Sequence, residues 1–319
     1  MKEYVLGIDL GGTKIDACLM TEDGEIWKSI TVPTLADEGA EAVIERIKGC
    51  IFELIKYANQ DEIISVGIAV PGVIDAERRV VKHLPNLPSW KDVPLPGIIQ
   101  NVLQIPVAME NDANAAALGE YLYGSGIGID NFIYITISTG IGGGIILNGK
   151  LFSGEWGNAG EIGHITINHK GPKCSCGSYG CWEAYASGTA LARFAREGIL
   201  NGRETIIKDK AQDEGIKAEH IFDAAKKDDK FALELIEKQG YYLGVGLANV
   251  VNAFNPRLIV IGGGLTNEWE MFYDNMINTM EIRAFKTNTE GLKIVKTLLG
   301  SKVGMVGAAA VGWSLIKKK

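Results

Sequence analysis

Apolar positions fall into short continuous runs broken by glycine, and into longer stretches with a helical repeat. Residues 3–10 (EYVLGIDL) form one run, Gly11-Gly12-Thr13 interrupts it, and residues 14–20 resume it. Two strand-like runs joined by Gly-Gly predict a hairpin, with a third strand over 25–32. Over 37–58, Ala40, Ile44, Ile47, Ile51, Leu54 and Ala58 recur at helical spacing, the mark of a helix with one core-facing side. Residues 63–70 read as a strand closed by Pro71-Gly72. From 71 to 97 no regular period is visible, and five of the nine prolines fall there. With Trp90 among them, this predicts an ordered, functional loop. A short strand over 107–110 leads into an Ala-rich helix that ends near Tyr121.

The opening device then repeats. Residues 131–137 read as a strand, 139–144 (TGIGGG) as a glycine loop and 145–147 as a return strand. Two such hairpins about 130 residues apart in the sequence suggest two related domains. Further on, 184–200 reads as helix, 201–215 as polar loop, and 217–227 and 230–255 as helices, the last stopped by Pro256. Residues 257–261 form a buried strand running into Gly262-Gly263-Gly264, with a helix from about Glu268. A strand over 292–297 and a small-residue helix over 304–316 complete the chain.

The glycine hairpins are where chemistry first suggests itself. Gly11 and Gly12 are flanked by Asp9, Thr13 and Lys14. A carboxylate for magnesium, exposed backbone N–H groups, a hydroxyl and a cation suit a nucleoside triphosphate, although a plain tight turn has the same glycines. Neither hairpin is a Rossmann fingerprint, which needs a helix after the glycines, nor a Walker loop, which needs Gly-Lys-Ser/Thr. Gly262 to Gly264 can admit an adenosine against backbone or simply turn strand into helix. Asn111 and Asp112 at a helix start are favoured caps; Asp112 at a strand end can equally be a general base. Asn86, between Pro85 and Leu87, is either a ligand contact or an Asx-turn.

The densest chemistry lies between Glu161 and Glu183. Cys174, Cys176 and Cys181 fall within eight residues, and His164 stands ten residues before the first. Three thiolates and an imidazole complete a tetrahedral zinc set. On spacing alone His169 could replace His164. Five cysteines, an odd number with three crowded together, fit a reduced compartment and a metal better than disulfides.

Composition narrows the class. With 319 residues the chain suits two domains. A net charge of -7 disfavours nucleic acid as a partner. The uncharged stretch over 131–149 is interrupted by Ser138, Thr139 and five glycines, so a buried hairpin is expected rather than a membrane span. The N-terminus runs straight into a strand with no signal-peptide pattern, which leads us to expect a soluble cytoplasmic protein.

Taken together, GIDLGGTK (7–14), PNLPSW (85–90), ENDANAAALGEY (110–121), TGIGGGII (139–146), GEIGH (160–164), CSCGSYGCWEAYASGTA (174–190) and VIGGG (260–264) resemble the ROK (repressor, open reading frame, kinase) family. Within it they look most like the bacterial glucokinases. Trp182 stands where the family pattern has Leu. The resemblance implies an α/β, two-lobed, actin-like and hexokinase-like fold of duplicated ribonuclease H-like domains. One lobe would comprise residues 1–120 with a returning helix at about 304–319, the other 121–303 with a zinc loop over 161–183. ATP and sugar would meet in the cleft between them.

The resemblance also implies roles. Asp112 becomes the base that takes the proton of the glucose 6-hydroxyl. Asn86, Asn111, Asp112, Glu161, His164 and Glu183 become sugar contacts. Asp9, Gly11, Gly12, Thr13, Lys14, Thr139 and Gly140 hold phosphate and Mg2+, and Gly262, Gly263 and Gly264 the nucleotide. His164, Cys174, Cys176 and Cys181 hold a structural Zn2+. A homo-oligomer, dimer or tetramer, is implied as well. The rivals are a kinase for N-acetylmannosamine, fructose or allose, and a sugar-responsive repressor. The repressors carry a helix-turn-helix ahead of the first hairpin; that hairpin begins here within a few residues, so DNA binding is not expected.

Overall fold

The computed structural model describes residues 2–84, 87–211 and 215–317. In chain order its strands and helices begin with β1 (Tyr4–Leu10), β2 (Lys14–Thr21), β3 (Ile26–Pro33), α1 (Ala40–Leu54) and β4 (Ile63–Val70). There follow β5 (Val73–Ile74), β6 (Val81–Leu84), β7 (Leu87–Val93), α2 (Leu95–Leu103), β8 (Val107–Asn111) and α3 (Asp112–Tyr123). Next are β9 (Phe132–Ile137), β10 (Ile141–Leu147), β11 (Lys150–Leu151), α4 (Glu183–Ala186), α5 (Gly188–Leu200), α6 (Ile207–Ala211) and α7 (Ala218–Ala225). The last are α8 (Lys230–Phe254), β12 (Leu258–Gly262), α9 (Tyr273–Arg283), α10 (Lys286–Thr289), β13 (Lys293–Lys296) and α11 (Val303–Lys317). The chain divides into two compact units, one of Met1–Tyr134, Gly144–Gly160 and Thr297–Lys319, the other of Ile135–Gly143 and Glu161–Lys296.

The first unit is built on a sheet of order β3-β2-β1-β4-β8. β1 and β2 form the antiparallel hairpin, with Asp9 opposite Asp16, while β1, β4 and β8 run parallel. β1 and β2 show no alternation because both faces are covered. Leu6, Ile8, Ile15, Ala17 and Leu19 pack in one core with Val43, Ile47 and Ile51 of α1. Val5, Cys18 and Met20 pack in another with Met305, Val306, Ala309 and Trp313 of α11. The helix lies so close to the sheet that a Cβ on Gly67 would come within 1.8 Å of the Ala308 carbonyl oxygen. Only a small-residue helix over a glycine strand permits that approach.

The described residues of 71–97 depart from the ordered loop expected there. They form a separate antiparallel sheet, β5-β6-β7, with Val81 opposite Val93 and His83 opposite Lys91, and then start α2. Trp90 is wholly buried in the α1 core. The strands are too short and too interrupted by proline to display a period of two.

A second sheet has the order β11-β10-β9-β12-β13. In the second unit β12 and β13 pair in parallel, and α8 packs along α9. The helix expected over 184–200 is broken at Ser187, whose hydroxyl caps α5 by accepting the Ala190 N–H. The polar stretch 201–215 holds the short helix α6. After the three glycines a 3-10 helix, Gly264–Met271, precedes α9. Among the described residues, no helix is long and apolar enough to cross a membrane.

Candidate active site

In the first unit, Asp9 and Asp112 both lie at the carboxyl ends of parallel strands, the usual place for ligands in α/β sheets. Asp9 is the penultimate residue of β1, and Asp112 follows β8 as the first residue of α3. Burial pushes the Asp9 carboxyl up to about 7, helped by the charges of Asp112 and Asp16 and opposed by Lys14. The α11 N-terminus presses on this carboxylate: a Cβ on Gly304 would lie 1.9 Å from Asp9 Oδ2.

The Gly11–Lys14 turn is closed by a Gly11 N–H to Lys14 carbonyl bond of 2.9 Å. Buried Thr34 braces it, donating its N–H to the Thr13 carbonyl and its hydroxyl to the Gly11 carbonyl. Thr13 and Lys14 are exposed. Lys14 Nζ sits 2.6 Å from Asp16 Oδ2, and the Thr31 hydroxyl donates to the other oxygen of Asp16.

The turn from β8 into α3 is held by several side-chain bonds. Asn111 Oδ1 accepts the N–H groups of Ala113 and Asn114, and its Nδ2 donates to the Gly72 carbonyl. Asp112 Oδ1 accepts the Ala113 N–H at 2.8 Å. Asn111 is thus the helix cap, and it aims Asp112. Asn86 lies outside the described residues.

In the second unit the cysteine loop is a small hairpin, with Lys173 bridging Tyr179 and Thr166 bridging Cys181. Gly177, at φ 93, makes the tight turn after Cys176 that a side chain would strain. His164, Cys174, Cys176 and Cys181 bring one ligand atom each within 4.8 Å of one another. His169 is not in that group. Cys176 and Cys181 Sγ are 3.7 Å apart, and Cys174 Sγ is 3.6 Å from His164 Nδ1. A tetrahedral zinc with ordinary Zn–S and Zn–N bonds spans about 3.8 Å between sulfurs and about 3.5 Å between sulfur and nitrogen. The donor set therefore fits zinc in both chemistry and size. The Ser178 N–H holds the Cys176 thiol below its ordinary range, whereas burial pushes Cys181 up to about 12. A divalent cation held there would supply positive charge that favours thiolate ligands.

With Nδ1 turned to the cysteines, His164 Nε2 stands 3.8 Å from Glu161 Oε2. Glu183 reaches the glycine turn instead: its Oε2 accepts the Ile141 N–H at 2.9 Å, and its Oε1 accepts the Ser175 hydroxyl at 3.3 Å. Gly140 is bare because a Cβ there would sit 2.4 Å from Glu183 Oε2. A Cβ on Gly163, just before His164, would sit 2.0 Å from the Ile141 carbonyl oxygen. Metal loop and glycine turn are thus packed together.

Beside them opens a cavity of about 510 Å³, lined among others by Thr139, Thr189, Arg196, Lys217, Phe222 and Gly264. Its size and one aromatic wall suit a nucleotide, and Arg196 and Lys217 share the lining with Glu219 and Glu268. Gly188 and Thr189, at the start of α5, donate their N–H groups to the Ser138 and Thr139 carbonyls, fixing that wall. Gly263, at φ 92 and against the Ile137 carbonyl, is demanded by the turn.

The ROK family matches residues 5–313. The chain belongs to the ROK family. It is 37% identical to the glucokinase of Thermotoga maritima over 311 residues, 97% of each chain. A ROK glucokinase from Streptomyces griseus, solved with glucose and AMPPNP, superposes with a TM-score of 0.81 at 34% identity, covering 98% of this chain and 99% of that one. The xylose repressor of Bacillus subtilis is 33% identical over 97% of this chain and 76% of its own length. The hexokinase-like ROK fold accounts for the paired glycine hairpins.

Several residues that brace these turns within each unit carry no signal in the sequence. Asp16 accepts the Thr31 hydroxyl, Ser175 donates to Glu183, and Gly304 lies against Asp9 at the other end of the chain. Of them only Gly304 has a hint, as the first glycine of a small-residue helix.

Proposed function

We propose that this protein transfers the γ-phosphoryl group of ATP to the 6-hydroxyl of glucose. The observation that carries the reading is Asp112, an oriented carboxylate at the end of a parallel strand beside a second carboxylate, Asp9, in a chain similar over its whole length to glucokinases. Phosphoryl transfer asks little covalent chemistry of the protein; positioning and charge stabilisation carry the rate. Asp112 accepts the hydroxyl proton as the sugar oxygen attacks. Asp9 would hold Mg2+, which would balance charge on the phosphates, and the Gly11–Lys14 and Ser138–Gly140 turns would hold the phosphates themselves.

Asn86, Asn111, Glu161, His164 and Glu183 hold the sugar. In this reading Cys174, Cys176, Cys181 and His164 Nδ1 hold Zn2+, which supplies rigidity and no open position. Metal ligation fixes the His164 tautomer, so Nε2 presents a preset donor to a hydroxyl. The cavity beside Thr139 and Gly264 takes the adenosine. We assign the reaction to the cytoplasm, at the start of glycolysis, in a dimer or tetramer.

The likeness to the xylose repressor supports a second reading, a sugar-binding regulator. The test is ADP release with ATP and Mg2+ against glucose, mannose, fructose, allose and N-acetylmannosamine, with a no-sugar control. Glucose preference is expected. Release with another hexose corrects the substrate, and no sugar-dependent release from zinc-replete protein sinks the kinase reading. Asp112→Asn should lose at least about 10²-fold in turnover with sugar binding kept; near-normal turnover removes Asp112 from the mechanism.

A further inference from the structure

Directly before the proposed base stands a buried carboxylate. Glu110 is 4% exposed. Its Oε1 accepts the Asn111 N–H at 3.0 Å and Asn114 Nδ2 at 3.1 Å. Its Oε2 accepts Arg78 Nε at 2.5 Å. Asn111 and Asn114 flank Asp112 on either side of the turn from β8 into α3. The carboxylate of Glu110 therefore grips the turn that presents Asp112, and Arg78 grips Glu110.

Arg78 comes from a distant place, the turn between β5 and β6. That turn is made by Asp75, whose N–H bonds the Val80 carbonyl and whose Oδ1 accepts the N–H groups of Arg79 and Val80. Within it the guanidinium makes one bond, Nη1 to the Ala76 carbonyl at 3.3 Å, which leaves Nε for Glu110. Arg78 adopts φ 56, the left-handed region where glycine is the natural choice. A strained residue that persists marks a requirement for its side chain. Here the strain delivers a guanidinium, always charged, to a carboxylate withdrawn from water.

We propose that Arg78 is a positioning residue for phosphoryl transfer: its guanidinium fixes Glu110, and Glu110 fixes the Asn111–Asn114 turn that aims the Asp112 carboxylate. The proposal rests on the reading of Asp112 as the base. Arg78 touches no substrate in it, and acts only through the alignment of that carboxylate with the hydroxyl it deprotonates. Misplacing a catalytic group by a fraction of its contact distance lowers turnover and leaves ground-state binding largely intact.

The test is the steady-state kinetics of Arg78→Gly, Arg78→Lys, Glu110→Gln and, as control, Asp112→Asn, with thermal unfolding of each. Arg78→Gly suits the backbone and removes the whole side chain, the guanidinium with it. We expect its kcat to fall about 10- to 100-fold while the hexose KM changes by less than about threefold. Methylguanidinium at millimolar concentration should restore part of the lost kcat in Arg78→Gly and none in Asp112→Asn. Arg78→Lys should recover only part of it, because an ammonium cannot reproduce the planar donor.

Wild-type kcat in Arg78→Gly overturns the proposal, as does a loss that follows the folded fraction and ignores methylguanidinium. Should Arg78→Gly not fold, Glu110→Gln decides: reduced kcat with unchanged KM supports the role, and unchanged kcat overturns it. Wild-type kcat in Asp112→Asn defeats the base assignment itself, a result separate from any of these.

Discussion

Gly140 allows the geometry of the site to be tested by one methyl group. Its backbone is not in the left-handed region, so alanine is acceptable to the main chain. The only obstacle is Glu183 Oε2, 2.4 Å from the new Cβ. To reach ordinary contact the carboxylate must retreat by roughly 1 Å, which breaks its bond to the Ile141 N–H. Ile141 is 4% exposed, so water does not readily replace the lost acceptor. Losing a hydrogen bond to a charged group, with the donor left buried, costs about 1.5–3 kcal/mol.

For a chain of this size about 1 kcal/mol lowers Tm by roughly 2–4 °C, so the drop is measurable by calorimetry. In a Glu183→Ala background the same substitution should cost only a few tenths of a kcal/mol, giving a coupling energy of about 1–2.5 kcal/mol in the cycle. The KM for ATP adds a second readout. If Gly140 is bare only to admit Glu183, its substitution leaves that KM unchanged in the Glu183→Ala background. If phosphate also approaches it, the KM rises in both. An undiminished stability cost of Gly140→Ala in the Glu183→Ala background would refute the reasoning.

Two further perturbations test other parts of the second unit. His164→Ala should lose bound zinc, measured by elemental analysis, together with activity, while His169→Ala keeps both; the reverse pattern reassigns the ligand. Trp182 is wholly buried, donates its indole N–H to the Tyr242 carbonyl, and would meet a Cβ on Gly246 at 2.0 Å. Gly246→Ala should therefore destabilise by about 1–3 kcal/mol through overpacking. Trp182→Leu should relieve that cost in the double variant, and additive losses in chemical denaturation would contradict the packing argument.

The amino-acid sequence by itself determined those features that arise within a few residues of one another. Glycine between two apolar runs sets the β1–β2 hairpin, and apolar spacing of three and four sets α1 and α8. Cysteines at 174, 176 and 181 announce a metal loop because a ligand set must be gathered locally before it can bind. The motifs as a group were enough to point to the ROK family. Tertiary structure decided what depends on residues far apart.

It chose His164 over His169 by turning Nδ1 towards the thiols. It paired Val81 with Val93 in a segment whose strands are too short to show a period. It set Gly304 against Asp9, and Glu183 against the Ile141 N–H 42 residues away. It also carried Arg78 to Glu110, 32 residues away. Periodicity and turn chemistry record only local preference. A hydrogen bond or a close approach between distant segments leaves no local trace, because each partner is an ordinary residue until the fold brings the other to it.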